Sequence, residues 1–325
     1  MRLGGLVLAV ALAAGCGGGL RVGGEIDRPA RMPVRAFAHI VVVADESEAS
    51  RAIAERLIEH LRGGDSRVEL RSGAELEALR AAGRVARGTI ALGVEATLLE
   101  EARRAWSRRP ILECGAFGCL DTPHPRVVEL GAVRGHLTLT VADGPSGRPL
   151  QREELAAEEE GTDPLGMRLR ILERLSTDAT RLVDAQRETV DVELLAVDVR
   201  EVRDALDAIG AGLWDRGAAA LDRFVASPAF GALGAEARAR VLYDLGQARR
   251  FDPSLPPDER HARAAEALRA AIRLDPRPRF SRALDDVAAD RRSGSLLRAQ
   301  REARAHNFRL ARGEDPVPEP PATYR

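Results

Sequence analysis

Strand-forming runs stop near residue 197, and from there to the C-terminal tail every apolar pattern has helical spacing. This break limits the fold more than any other feature. A period of two asks for a sheet, and a period of 3.6 asks for helices packed elsewhere. Before the break, residues 36–43 (AFAHIVVV) form a continuous apolar run that reads as a buried strand. Asp45 and Glu48 have capping-box spacing ahead of a helix with Ile53, Leu57, Ile58 and Leu61 on one face. Residues 67–70 read as a short strand, Ser72 and Glu75 open a second helix, and residues 88–94 are a further strand. Leu98, Leu99, Ala102 and Trp106 then fall at helical spacing. Residues 127–130 and 136–141 (HLTLTV) read as strands, and Asp143-Gly144 and Ser146-Gly147 as a turn. An amphipathic helix over 167–186 and a strand over 190–197 close the region. The expected fold class is an α+β or α/β domain over residues 28–197, a sheet in two or three layers with helices. An all-α domain over 198–306 follows.

In the second region Val199, Val202, Leu206, Ile209 and Leu213 mark one helical face; Leu221, Phe224 and Val225 mark another, stopped at Ser227-Pro228. The segments ARVLYDLGQARRFDP and HARAAEALRAAIRLDP then resemble the two helices of a tetratricopeptide repeat. The residues carrying that resemblance are Leu242, Leu245, Gly246, Ala264, Leu268, Ala271 and Pro276. Ala264 precedes Pro276 by 12 residues, the family's spacing, while 18 residues separate Gly246 from Ala264 because DPSLPPDERH is inserted. Arg249 stands where the family usually has Tyr. GLWDRGAAALDRFVASP resembles a degenerate earlier repeat, and residues 280–304 read as a terminal helix. The resemblance implies a curved, TPR-like surface that binds peptides or partner proteins. A generic bundle with Ala-rich packing is the alternative. Residues 307–325, Pro-rich and acidic, are expected to be disordered.

Met1-Arg2, an apolar stretch over 3–14 and the small residues before Cys16 make a secretory signal over residues 1–15, too short to span a bilayer. The LAAGC sequence resembles a bacterial lipobox, with Ala13 where Leu is usual. That resemblance implies acylation of Cys16, a membrane partner reached through the lipid, and a place in the cell envelope. Gly17 after the Cys points to the outer membrane by the sorting rule of enteric lipoproteins. Residues 16–27 read as a flexible tether.

Cys114 and Cys119, separated by a Gly-bearing loop, are disulfide candidates in an exported chain. Recruiting His124 would give a three-ligand metal set at unusual spacing, and two unbridged thiols are the third option.

An entry Arg28-Pro29-Ala30 before the first strand, and a later strand of the form T-x-T-V-x-D followed by S-G-x-x-L within residues 137–150, resemble the CsgG-type envelope lipoproteins. That group includes relatives of the penicillin-binding-protein activator LpoB. The resemblance covers about half the chain and bears on fold. Channel members of the group carry long membrane-inserting strands; no alternating apolar segment of that kind is visible here, so a pore is not expected.

Basic and acidic residues nearly cancel, 49 against 50, which disfavours nucleic acid as a partner. All the basic residues are Arg, so Lys Schiff-base chemistry and Lys-dependent phosphate loops are excluded. The six His residues are scattered, and there is neither a metal-binding His pair nor a nucleophile elbow. Asp121 and His124 with an unspecified Ser make no informative triad, and the Glu153–Glu154 and Glu158–Glu160 run is a solvated acidic stretch, at most a weak cation site. No catalytic, cofactor-binding or metal residue is nominated. The expected role is a non-enzymatic, membrane-anchored scaffold or regulatory factor that reaches a protein partner through its helices. A small-molecule or cell-wall-fragment binder, or a hydrolase with a dispersed site, are the alternatives.

Overall fold

The computed structural model describes residues 19–115 and 118–314, with side chains given outside 103–129. Cys16 therefore lies outside the described residues. An N-terminal sheet region and a C-terminal helical region are both present, and the chain divides into two compact units at different points from those expected.

One unit comprises residues 30–185 and 300 onward. It holds β2 (His39–Ala44), α1 (Glu48–Arg62), β3 (Arg67–Arg71), α2 (Gly73–Ala81), β4 (Thr89–Gly115), β5 (Gly118–Asp143), β6 (Pro149–Gly161) and α3 (Pro164–Val183). The sheet order is β3-β2-β4-β5-β6; β2 runs parallel to β3 and β4, and β5 antiparallel to β4 and β6. Ile40, Val42, Ile90, Leu92 and Leu139 pack beneath Ile53, Leu57 and Leu61 of α1 and Ile171 and Leu175 of α3. Leu76 of α2 covers Val41 and Ala91 on the opposite face, completing three layers.

Helix starts were partly legible. Ser72 and Glu75 form the full capping box. Over α1, however, the cap is Ser47, which accepts the Ser50 N–H, while Asp45 accepts the Ser47 N–H. Arg35 closes the other end of α1: its guanidinium donates to the His60 and Leu61 carbonyls and pairs with Asp184. It thereby satisfies carbonyls that a helix C-terminus leaves bare.

The helical patch expected at Leu98, Leu99, Ala102 and Trp106 is instead part of β4, a strand of 27 residues paired along its length with the 26 residues of β5. Leu98 and Leu99 diverge as strand neighbours must: the first packs against the core and the second is 55% exposed. The strands at 127–130 and 136–141 are one continuous β5. Beyond Gly131, where β6 ends, the pairings of the hairpin among the described residues are between β4 and β5. Strands of this length exceed what a bilayer crossing needs, but Arg103, Arg104, Arg108 and Arg109 occupy both odd and even positions, so the sequence supplies no apolar period-two row.

The other unit comprises residues up to 29 and 186–299. The tether expected over 16–27 is, from Leu20, strand β1 (Leu20–Arg28), antiparallel to β7 (Gln186–Leu194). Both strands belong with the helices α4 (Arg200–Gly210), α5 (Trp214–Val225), the single turn α6 (Pro228–Gly231), α7 (Ala235–Phe251) and α8 (Pro257–Leu274). The last helix, α9 (Pro278–Ala311), gives residues 278–299 to this unit and 300–311 to the other. The tail expected to begin at 307 is thus helical to Ala311; residues 315–325 lie outside the described residues.

Candidate functional site

Two close-packed helix pairs shape the second unit. In α4–α5, a Cβ at Gly217 would sit 2.2 Å from Ile209 Cγ1 and 3.0 Å from the Ala205 carbonyl oxygen. In α7–α8, a Cβ at Gly246 would sit 2.7 Å from Leu268 Cγ and 3.3 Å from the Ala264 carbonyl oxygen. Of the residues singled out in sequence, Leu242, Leu245, Gly246, Ala264, Leu268 and Ala271 are all buried along α7 and α8. Pro276 is exposed in the connection between α8 and α9, where its ring ends the first helix. Arg249, in place of the family's Tyr, reaches back to Asp222 on α5 at 2.5 Å.

The β1–β7 ribbon is locked to these helices. Gly24 is required because the Phe251 ring stands 2.4 Å from where its Cβ would be, and Phe251 in turn lies 4.8 Å from Trp214. Glycine in this stretch therefore marks close approach and not flexibility.

A buried ion network fixes α9. Asp290, with a side chain 3% exposed, accepts Arg250 Nε at 2.6 Å and Arg28 Nη1 at 3.2 Å. Arg28 also holds Glu188 of β7 at 2.8 Å. His261 of α8 lies buried beside this network; burial first, then the Arg260 charge, lowers its pKa, so its ring is neutral at pH 7.

Between α8 and α9 a groove of about 230 Å³ is floored by Ala262, Ala265, Leu284 and Ala288, with His261 at one side. It adjoins a second, wider groove of about 540 Å³ along α9 that includes Leu296, 47% exposed. Arg269, Arg291 and Arg292 line these surfaces, and none of the three has an ion pair or side-chain hydrogen bond among the described residues. Other arginines of these and the neighbouring helices do have one, including Arg240, Arg249, Arg250, Arg263, Arg277, Arg279 and Arg298, while Arg260, Arg273, Arg282 and Arg301 resemble the three in having none among the described residues. Asp285 is the one acidic residue in the lining.

In the sheet unit the register places Cys114 opposite Cys119 across β4 and β5. Their side chains, and that of His124, lie outside the described residues, as do any bridge or metal contact they make. His60 shares Asp184 with Arg35, its Nε2 2.6 Å from Oδ2. No group of three metal-ligating side chains converges among the described residues. The unpaired arginines of the groove escaped the sequence reading, because pairing is decided by which acids the fold brings near.

The chain matches no known protein family, and no curated protein sequence is similar to it. Solved structures similar to it include a minor lipoprotein from Acinetobacter baumannii, 12% identical over 45% of this chain and 90% of that one, with a TM-score of 0.26. The PelC dodecamer from Paraburkholderia phytofirmans is 13% identical over 51% of this chain and 100% of that one, with a TM-score of 0.27. Rare lipoprotein B from Shewanella oneidensis is 14% identical over 44% and 85%, with a TM-score of 0.20. Likenesses this distant establish no family membership.

Proposed function

We propose that this protein is a lipid-anchored envelope scaffold whose helical unit docks an acidic segment of a protein partner in the α8–α9 groove. The observation carrying this reading is the set of three arginines, Arg269, Arg291 and Arg292, left without acids beside an Ala- and Leu-floored groove. An unpaired guanidinium cluster on an apolar floor complements an anionic, partly apolar ligand. The tetratricopeptide-like pairing of α7 and α8 supports a groove of this kind. The nominated residues suggest no reaction, so the role is binding and not catalysis.

Two experiments test the two halves of the reading. A photoreactive residue at Ala288, exposed on α9, should crosslink to an envelope protein in intact cells. Arg269→Glu with Arg291→Glu should reduce that adduct at least tenfold while leaving the thermal unfolding midpoint within a few degrees, since neither guanidinium pairs within the fold. An adduct indifferent to charge reversal would sink the docking site.

The anchor rests on the lipobox-like LAAGC and not on any span: among the described residues no helix is long and apolar enough to cross a membrane. Cys16→Ala should leave the chain unlipidated and move it from the membrane to the soluble periplasmic fraction. Recovery of that variant with membranes at wild-type levels would refute the anchor.

A further inference from the structure

The β4–β5 register is continuous from Ile90↔Asp143 to Gly115↔Gly118, so the backbone phase at one end fixes it at the other. In an antiparallel ladder, pairs that exchange both hydrogen bonds alternate with pairs whose N–H and C=O groups turn away from the partner strand. Backbone bonds near the root set that phase. The Gly144 N–H donates to the Thr89 carbonyl at 3.0 Å, so those two residues face each other. The Asp143 N–H goes instead to the Arg148 carbonyl at 2.9 Å, on the β6 side. On β4 the Val94 carbonyl accepts the Asp45 N–H at 3.4 Å, and the Ala96 N–H donates to Ser50 Oγ at 2.6 Å. Even-numbered residues of β4 and odd-numbered residues of β5 therefore turn outward.

At the far end of the ribbon the same alternation makes Cys114↔Cys119 an outward-turned pair. Two features of the sequence agree with it independently. Pro110, Pro123 and Pro125 all fall on outward positions, where a missing N–H takes nothing from the ladder. Only two residues separate Gly115 from Gly118, and so short a connection is closed by a pair that exchanges hydrogen bonds.

The phase has a chemical consequence. At outward-turned pairs the Cα atoms stand about 4.5 Å apart and side chains are closest, inside the Cα span of about 4.4–6.8 Å that a disulfide takes. We infer that Cys114 and Cys119 form a cross-strand disulfide that clamps the free end of the ribbon. Beyond Gly131 the ribbon pairs with no third strand among the described residues. Two strands alone are marginal, so a bond at the tip holds the register where sheet neighbours do not. His124 is five residues from Cys119 along β5 and so falls on the opposite face of the ribbon, which removes it from a metal site shared with the pair.

The oxidant is a protein disulfide of the thiol-exchange class, met on export, so in the cell the step rests on the secretory signal. One cysteine thiolate attacks the oxidant's disulfide and forms a mixed disulfide. The other thiolate then attacks the cysteine sulfur of that bond, the Cys114–Cys119 bond forms, and the oxidant leaves as a dithiol carrying two electrons and the two thiol protons.

The test uses the full chain carrying Cys16→Ala, in which these are the only two cysteines. The purified chain is equilibrated with graded ratios of reduced and oxidised glutathione, quenched with acid, unfolded and alkylated, and its thiols are counted by mass spectrometry. One bridge within the chain is expected. A second chain, with Cys114→Ser, Cys119→Ser, Glu113→Cys and Leu120→Cys, moves the pair one step to a hydrogen-bonded position. Its half-oxidation should need a buffer about tenfold more oxidising, because side chains at such pairs stand farther apart. Free thiols in the first chain throughout the titration, or a bridge between two chains, overturn the proposal. So does equal oxidation of the two chains, which would show a tip without fixed register. The purified chain meets glutathione whatever compartment it came from, so a failure here and a failure of the Cys16→Ala fractionation are separate results.

Discussion

Asp290→Ala is expected to destabilise the helical unit by about 3–5 kcal/mol, the cost of stranding a buried charge. Arg250 is 6% exposed and Asp290 3%, so little water reaches either group. Without Asp290, Arg250 keeps only Asp286 at 3.6 Å, a partner that is itself 61% exposed. Arg28 would retain Glu188 and stay partly hydrated, so the main penalty falls on Arg250. The same reasoning makes an opposite prediction for the pair removed together. Arg250→Met with Asp290→Leu eliminates both charges, and should recover most of the loss if the new side chains fill the space. The measurement is urea unfolding followed by fluorescence of Trp214, which is 8% exposed against Phe251, in a Trp106→Phe background so that one indole reports. A loss under about 1 kcal/mol for Asp290→Ala would mean that solvent, and not Asp290, balances Arg250.

How much of this was legible in sequence depended on how local each cause is. Ser72 with Glu75 gave a true helix start because a capping box is settled within four residues. The buried face of α1, with Ile53, Leu57, Ile58 and Leu61, was visible for the same reason. Residues 98–106 misled because Leu98, Leu99, Ala102 and Trp106 satisfy helical spacing; only pairing with β5, 37 residues away along the chain at Leu98↔Gly135 and 21 at Trp106↔Val127, makes them a strand. The glycines of 17–24 read as a tether by composition, yet Gly24 is there for the Phe251 ring, more than 200 residues downstream. In the candidate site, Gly246, Ala264 and Leu268 could be named from spacing. The three unpaired arginines of the groove could not, because the fold decides which acids come near a guanidinium.

Phe280→Ala should cost about 3–5 kcal/mol, and unlike the charge reversals, which lower binding at unchanged stability, it should lower stability and binding together. Phe280 is fully buried near the start of α9, its ring stacked 5.0 Å from that of Tyr243 with an interplanar angle of 30°. Ala283, Val287 and Asp290 continue the same buried stripe. The groove residues Leu284, Ala288 and Arg291 each follow one of these by a single position, so the wall they form is only as fixed as the stripe beneath it. Truncation to Ala opens a cavity at the first turn of α9. Phe280→Leu, which refills part of that volume, should lose roughly 1–2 kcal/mol. The two kinds of variant therefore separate. Arg269→Glu with Arg291→Glu removes charge from an intact wall, lowering the Ala288 crosslink at unchanged stability. Phe280→Ala loosens the wall itself, lowering the crosslink and the urea midpoint together. If Phe280→Ala were to keep the full crosslink despite its lost stability, the partner would be held by charge alone and the shape of the groove would be irrelevant to docking.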